Sequence, residues 1–143
     1  IKLLYHFLSA SKHKFIYFIV PDYSHLLHLI DKRILKIFVA SYKNEPFGCY
    51  VFRDAHTKYE GKNSIELVAS CYLKEKDLFE KYFFDGIRQM KTKVVLIENI
   101  SNNSIIIQNI LRKQKYTFKS KAAYFLYNYA TRPVTSEKIF IVN

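Results

Sequence analysis

SIELVASCYL at residues 64–73, KEKDLFEKYFFDGIRQMK at 74–91 and VVLIE at 94–98 decide how the chain is read. The first segment alternates as a strand does. Ile65, Leu67, Ala69 and Cys71 lie on one face, and Glu66, Val68, Ser70 and Tyr72 on the other. The second predicts the clearest helix of the chain. Phe79, Phe83, Ile87 and Met90 form its apolar stripe, and Leu78, Tyr82, Asp85 and Gln89 form a neighbouring one. The third is short and almost wholly apolar, which predicts a central strand covered on both faces.

Upstream, Leu3, Leu4, Phe7 and Leu8 recur at helical spacing and predict a helix over 2–13. Residues 15–20 are a short apolar run ended by Pro21. Asp22 or Ser24 then caps a second short helix carrying Leu26, Leu27, Leu29 and Ile30. Strands at 34–42 and 47–53 are joined by Lys43-Asn44-Glu45-Pro46, which is turn chemistry, so they form a hairpin. A polar loop follows at 54–63. Downstream of Glu98, Asn102 or Asn103 caps a helix through Gln114, with Ile106, Ile107, Ile110 and Leu111 turned inward. Two strands close the chain, at 122–130 and 137–142, joined by a Pro-containing connection at 131–136. The order is that of a mixed α/β sheet in one domain spanning 1–143.

Size and composition agree. At 143 residues, a chain buries about two-thirds of its unfolded surface, enough for a real core. Half of the residues are hydrophobic and only 3 are Gly and 3 Pro, which excludes disordered, collagen-like and low-complexity classes. Lys plus Arg is 23 against 12 Asp plus Glu, a formal charge of +11. Such a surface favours an anionic partner: nucleic acid, a phosphate-bearing cofactor or an anionic membrane. It is equally read as a solvated face with no partner. No apolar stretch approaches the roughly 20 residues that span a bilayer, so no transmembrane segment is expected. Cys49 and Cys71 both lie inside strand-like runs, which suits a reducing compartment, and a cytoplasmic location is expected.

Several chemistries are weighed by their residues. His25 and His28 share a helix face but lack a third ligand at metal spacing, so no metal is expected. Cys49 and Cys71 have no adjacent His to activate them and read as packing residues. The glycines are too scattered for a phosphate loop. Arg112, Lys113, Lys115, Lys119 and Lys121, interleaved with Tyr116 and Phe118, could hold nucleic acid, although cations also favour a helix C-terminus. Glu98 ends an apolar strand, where desolvation would raise its pKa towards a useful base. It reads equally as a strand-end residue that bonds the next turn. Tyr72, Tyr124 and Tyr127 could bond a substrate or donate a proton, or be ordinary buried tyrosines.

The order of strands and helices resembles the GNAT acyltransferase fold. That resemblance implies a mostly antiparallel sheet whose central parallel strands, here 64–73 and 94–98, splay apart, with acyl donor and acceptor meeting in the gap. It also implies a Gly-containing loop at the start of the long helix, whose N–H groups bind the pyrophosphate of acyl-CoA, as helix N-termini bind anions. Here that position reads Leu73-Lys74-Glu75-Lys76-Asp77, with no Gly and two acids.

The missing loop points to one branch. Tyr124-Phe125-Leu126-Tyr127-Asn128-Tyr129 is similar to the Tyr-Tyr-Leu-Tyr-Asn-Trp of protein N-myristoyltransferases. It is followed at like spacing by Glu137-Lys138 and a short apolar strand, and Asn103 falls where that family also has Asn. The chain thus resembles the C-terminal, peptide-binding half of such an enzyme. The resemblance implies transfer of an acyl group, from acetyl-CoA or myristoyl-CoA bound elsewhere, to a peptide or protein amine. An N-terminal acyl-CoA-binding half is then the expected partner. With Asn143 as terminus, its α-carboxylate would accept a proton from the substrate's N-terminal ammonium. Asn143, Glu98 and Tyr127 are the catalytic candidates; Tyr72, Leu96, Asn103, Tyr124 and Asn128 are the substrate-binding ones. The sequence departs from that family at Phe118-Lys119-Ser120-Lys121, where it has a Gly-Asp-Gly turn. It departs again at Leu96 and Glu98, which align with a peptide-binding Asn and Leu, and at Phe52-Arg53-Asp54-Ala55-His56, a serine-bearing segment in the family. A stand-alone N-acetyltransferase and a non-catalytic binding module for nucleic acid or protein are the alternatives.

Overall fold

The computed structural model describes residues 2–55, 64–92, 94–113 and 134–142. Helix α1 (Lys2–Ser11) runs through a 3-10 turn into strand β1 (Tyr17–Ile19). Helix α2 (Tyr23–Asp31) starts at Asp22, whose carboxylate accepts the His25 N–H at 2.9 Å and so satisfies one of the orphan donors of a helix start. Strands β2 (Leu35–Tyr42), β3 (Glu45–Asp54) and β4 (Ser64–Tyr72) follow, then α3 (Lys76–Met90), β5 (Val94–Ile97), α4 (Asn103–Arg112) and β6 (Ile139–Ile141). The main sheet has the order β2-β3-β4-β5, antiparallel except for the parallel β4·β5 pair.

The hairpin turn is tighter than its composition suggests. Only Lys43 and Asn44 lie outside the strands, both with positive φ (50° and 63°), the twist that two-residue hairpin loops require. Pro46 is therefore inside β3. It sits where the register shifts between Ala40 and Ser41, one of the few places a sheet accepts a residue without an N–H.

The apolar run at 15–20 is also a strand. β1 pairs in parallel with β6, Phe18 opposite Phe140, across more than a hundred residues of chain. Phe15, Phe18 and Phe140 stack there, with ring centroids 5.1 Å apart for the last two.

A larger correction concerns β4. Its pairing with β3 shifts between Val51 and Phe52: Val51 opposes Ala69 but Phe52 opposes Leu67, so Val68 is an extra residue, a β-bulge. The bulge reverses the alternation. Ile65 and Leu67 pack with Phe47, Tyr50, Phe52, Phe79, Phe83 and Ile106 under α3 and α4. Val68, Ala69 and Cys71 pack instead with Leu4, Phe7, Leu8, Leu26 and Phe140 on the opposite side of the sheet. The single apolar face expected from Ile65 to Cys71 is thus two faces, and β4 is buried on both from Ser64 through Cys71. Tyr50 stacks on Phe79 at 4.9 Å and donates its hydroxyl to the Phe79 carbonyl at 2.5 Å, which anchors α3 to β3. Each fully buried Phe of this layer contributes about 1.5–3 kcal/mol.

Candidate functional site

β4 and β5 are hydrogen-bonded only over Ser64–Leu67 and Val94–Ile97. Beyond Leu67, β4 runs on through Tyr72 while the chain after β5 turns away into α4. This is the splay expected between the two parallel strands. Among the described residues it leaves one edge of β4, from Val68 to Tyr72, with no strand hydrogen-bonded to it.

That edge is nevertheless fully occupied. In an antiparallel ladder every second residue turns its N–H and C=O away from its partner strand. Leu73 N–H donates to the Phe47 carbonyl at 2.8 Å, which fixes Phe47 and Leu73 as a hydrogen-bonded pair. The outward-facing residues are then Ser70 and Tyr72. Ser70 N–H donates to Ser101 Oγ at 3.1 Å, and the Ser70 carbonyl accepts from Asn102 N–H at 3.1 Å. Tyr72 N–H donates to Asn102 Oδ1 at 3.1 Å, and the Tyr72 carbonyl accepts from Lys14 Nζ. The loop between β5 and α4, with one lysine from the 3-10 turn after α1, therefore stands in for a strand. The outward N–H and C=O groups of Ser70 and Tyr72 are thus all met, as buried backbone demands.

Asn103 holds the base of the gap. Its Nδ2 donates to the carbonyls of Glu98 (2.8 Å), Val68 (3.3 Å) and Leu67 (3.4 Å), and its Oδ1 accepts from the Ser70 hydroxyl at 2.5 Å. It is fully buried. Its neighbour Asn102 is the N-cap of α4, but its side chain bonds Tyr72 rather than the helix. Ser101 enters this loop with φ of 52°, a left-handed backbone, and this turn delivers its hydroxyl to Ser70.

Lys14 closes the mouth. Its ammonium also donates to Asn102 Oδ1 at 3.2 Å and lies 4.3 Å from the centre of the Tyr72 ring. Burial lowers its pKa from the usual lysine value, and the charge of Lys138 lowers it further. Tyr72 is half-buried, its ring 5.2 Å from that of Phe79. Lys14 and Ser101 carry no local sequence signal, because what selects them is a contact between remote segments. Asn102 is recognisable only as a helix cap.

The other candidates are distributed differently. Glu98 follows β5; its N–H donates to the Leu67 carbonyl at 3.3 Å and its carboxylate lies 3.8 Å from the Arg53 guanidinium. Arg53 also meets Glu66, buried in β4, at 2.9 Å. Leu96 is half-buried in β5, opposite Glu66. Tyr124, Tyr127, Asn128 and Asn143 lie outside the described residues, as do Lys115, Tyr116, Phe118, Lys119 and Lys121 of the basic cluster. Arg112 and Lys113 end α4 at the surface. His25 and His28 remain on α2, and no cluster of three metal-ligating side chains forms among the described residues. No described helix is long and apolar enough to cross a membrane.

The described residues do not fit an acyl-CoA in the gap. A ligand bonding to the outward groups of Ser70 and Tyr72 would need the groups that Ser101, Asn102 and Lys14 already hold. The start of α3 fits no better. Glu75 caps it with φ of 60° and makes no side-chain cap bond, Asp77 adds a second carboxylate in the first turn, and Lys74 is tied to Glu45 at 2.5 Å. Negative charge at a helix start repels a pyrophosphate rather than cradling it.

No protein-family model matches the chain, and no curated protein matches it. Solved structures do. The crystal structure of an aminoglycoside acetyltransferase, meta-AAC0020, from an uncultured soil metagenomic sample in complex with trehalose superposes with a TM-score of 0.54 at 16% identity. The match covers 86% of this chain and 84% of that one. Its complex with sisomicin gives 0.53 with the same identity and coverage. At that identity the likeness is one of architecture, and it agrees with the splayed parallel pair and the helices on both sides of the sheet: the chain has the fold of the GNAT acetyltransferases.

Proposed function

We propose that this chain is an acyltransferase-type domain of the acceptor side, most like the C-terminal half of an N-myristoyltransferase. It would present a peptide or protein amine to an acyl-CoA held by a separate N-terminal half. The observation that carries the reading is the occupied edge of β4: the fold is that of acyl-CoA-dependent transferases, but the groove beside Ser70 and Tyr72 is filled by Ser101, Asn102 and Lys14. In this reading Tyr124, Tyr127 and Asn128 would contact the acceptor, and an α-carboxylate at Asn143, where the chain ends there, would take the ammonium proton. Glu98 and Asn103 shape the gap through their hydrogen bonds to Leu67, Val68 and Ser70 of β4.

The test is a thermal-shift series. A ligand that binds only the folded state raises its melting temperature. Acetyl-CoA, myristoyl-CoA and free CoA are expected to leave the melting temperature unchanged, while a peptide with a free N-terminal glycine raises it and its N-acetylated form does not. A shift with acetyl-CoA alone would replace the proposal with a stand-alone N-acetyltransferase. No shift with either peptide, together with salt-sensitive binding of an oligonucleotide, would make the chain a nucleic-acid module.

A further inference from the structure

Cys49 on β3 and Cys71 on β4 are direct partners in the antiparallel ladder, with their Sγ atoms 3.7 Å apart. Both are free thiols and fully buried. From the Phe47–Leu73 bond, two residues along each strand, Cys49 and Cys71 also form a hydrogen-bonded pair. Such pairs hold their Cα atoms about 5.5 Å apart. That lies inside the roughly 4.4–6.8 Å a disulfide spans, although the sulfurs must still close to about 2.05 Å. Slack for that movement is close by. The register shifts on β2·β3 between Ala40 and Ser41 and on β3·β4 between Val51 and Phe52 lie to either side of the pair.

We propose that Cys49 and Cys71 are a two-electron redox site: a hydroperoxide converts the dithiol to an intramolecular disulfide, and a small thiol reverses it. This stands apart from the acceptor-side reading and needs nothing from it. The two thiols are not equivalent. Cys71 is held below the usual thiol value, first by its hydrogen bond with Cys49, against the burial that pushes it up, and then by the nearby charge of Lys14. Cys49, its partner in that bond, is pushed well above it, first by the same bond and then by burial. Cys71 is therefore the attacking sulfur.

The step balances. The Cys71 thiolate attacks one oxygen of hydrogen peroxide; the S–O bond forms, the O–O bond breaks and the leaving oxygen departs as water. Cys49 then attacks the Cys71 sulfur; the S–S bond forms, the S–O bond breaks and the second oxygen leaves as water. The two thiols give up two electrons and two protons, and the peroxide is reduced to two waters. Closing the bond draws β3 and β4 together next to Tyr72, whose carbonyl holds Lys14. A cross-strand bridge in a hydrogen-bonded register is strained, and strained disulfides are the readily reduced ones.

The experiment treats the native, reduced chain with hydrogen peroxide, alkylates under denaturing conditions and maps the peptides by mass. The expected product carries Cys49 joined to Cys71 within one chain, about 2 Da lighter than the reduced form and without added oxygen on either cysteine. Reduced glutathione should restore both thiols. Cys49→Ala should stop at a sulfenic acid on Cys71 that dimedone traps, while Cys71→Ala should leave Cys49 unmodified under the same exposure. Recovery of both thiols intact from the native wild-type chain, oxygen added without a cross-link, or bridging only between chains would each overturn the proposal.

Discussion

Replacing Asn103 tests whether one amide holds the gap between β4 and β5. Asn103→Ala removes a donor shared by the carbonyls of Leu67, Val68 and Glu98 and an acceptor used by Ser70. Leu67 keeps the Glu98 N–H at 3.3 Å and Glu98 keeps the Ile100 N–H at 2.9 Å. The Val68 carbonyl and the Ser70 hydroxyl carry the loss. A buried polar group stripped of its partner costs about 1–3 kcal/mol, so two of them cost about 2–6 kcal/mol. That is a large share of the roughly 5–15 kcal/mol that hold a domain folded. With a urea slope near 2 kcal/mol/M, a loss of about 3 kcal/mol lowers the unfolding midpoint by about 1.5 M. Asn103→Asp should be worse than Ala at neutral pH, since it turns a carboxylate towards carbonyl oxygens. That environment raises the new carboxyl's folded-state pKa above its unfolded value, so the folded state binds the proton more tightly. The deficit of Asn103→Asp should then shrink as pH falls through the raised value. Urea titrations at neutral and mildly acid pH read both effects. A midpoint for Asn103→Ala within about 0.3 M of wild type would refute the reasoning, because it leaves less than about 1 kcal/mol for the pair of groups; an Asp variant no weaker than the Ala one would refute it too, because a carboxylate facing those carbonyl oxygens must cost more than an empty space.

Lys14→Met should abolish a pH slope. Burial lowers the Lys14 pKa, so between that value and 10.5 the unfolded chain holds more protons and stability rises with pH. The stability difference between wild type and Lys14→Met should therefore move in favour of wild type as pH climbs towards 10.5; a flat difference would count against the clamp at Tyr72. Gly48→Ala places a Cβ 3.1 Å from the Phe79 ring and 3.3 Å from the Cys71 carbonyl. Overpacking of this kind costs about 1–3 kcal/mol, and an unchanged melting temperature would show that α3 stands off β3 more than the structure has it.

Local patterns carried most of the architecture. The stripe at Phe79 and Phe83, the run at 94–98 and the turn residues at Lys43 and Asn44 each announce their element within a few positions. What stayed hidden depends on remote contacts. Nothing around Phe18 signals a partner at Phe140, because parallel pairing is decided by chain segments far apart. Val68 is indistinguishable in the sequence from its neighbours, yet its insertion sends Leu67 and Ala69 into different cores. The site follows the same rule. Asn103 was legible as one of two possible helix caps and through its match to an Asn of the N-myristoyltransferases, while Lys14 and Ser101 owe their roles to a strand edge that exists only in the folded chain.

A sheet that parts in its middle exposes the kind of backbone that recruits stray strands from other molecules. Proteins commonly protect such edges with charge, proline or a bulge; here the vulnerable stretch of β4 is sealed by side chains of the same chain. Ser70 and Tyr72 have no free groups with which to template a neighbour. The seal is made of side chains on a turn rather than of a strand, so it can be loosened one bond at a time. Variants that unseat Asn102 or Lys14 should thus betray themselves first as a loss of solubility on concentration, before any measurable unfolding, with β-rich aggregates seeded from the middle of the sheet.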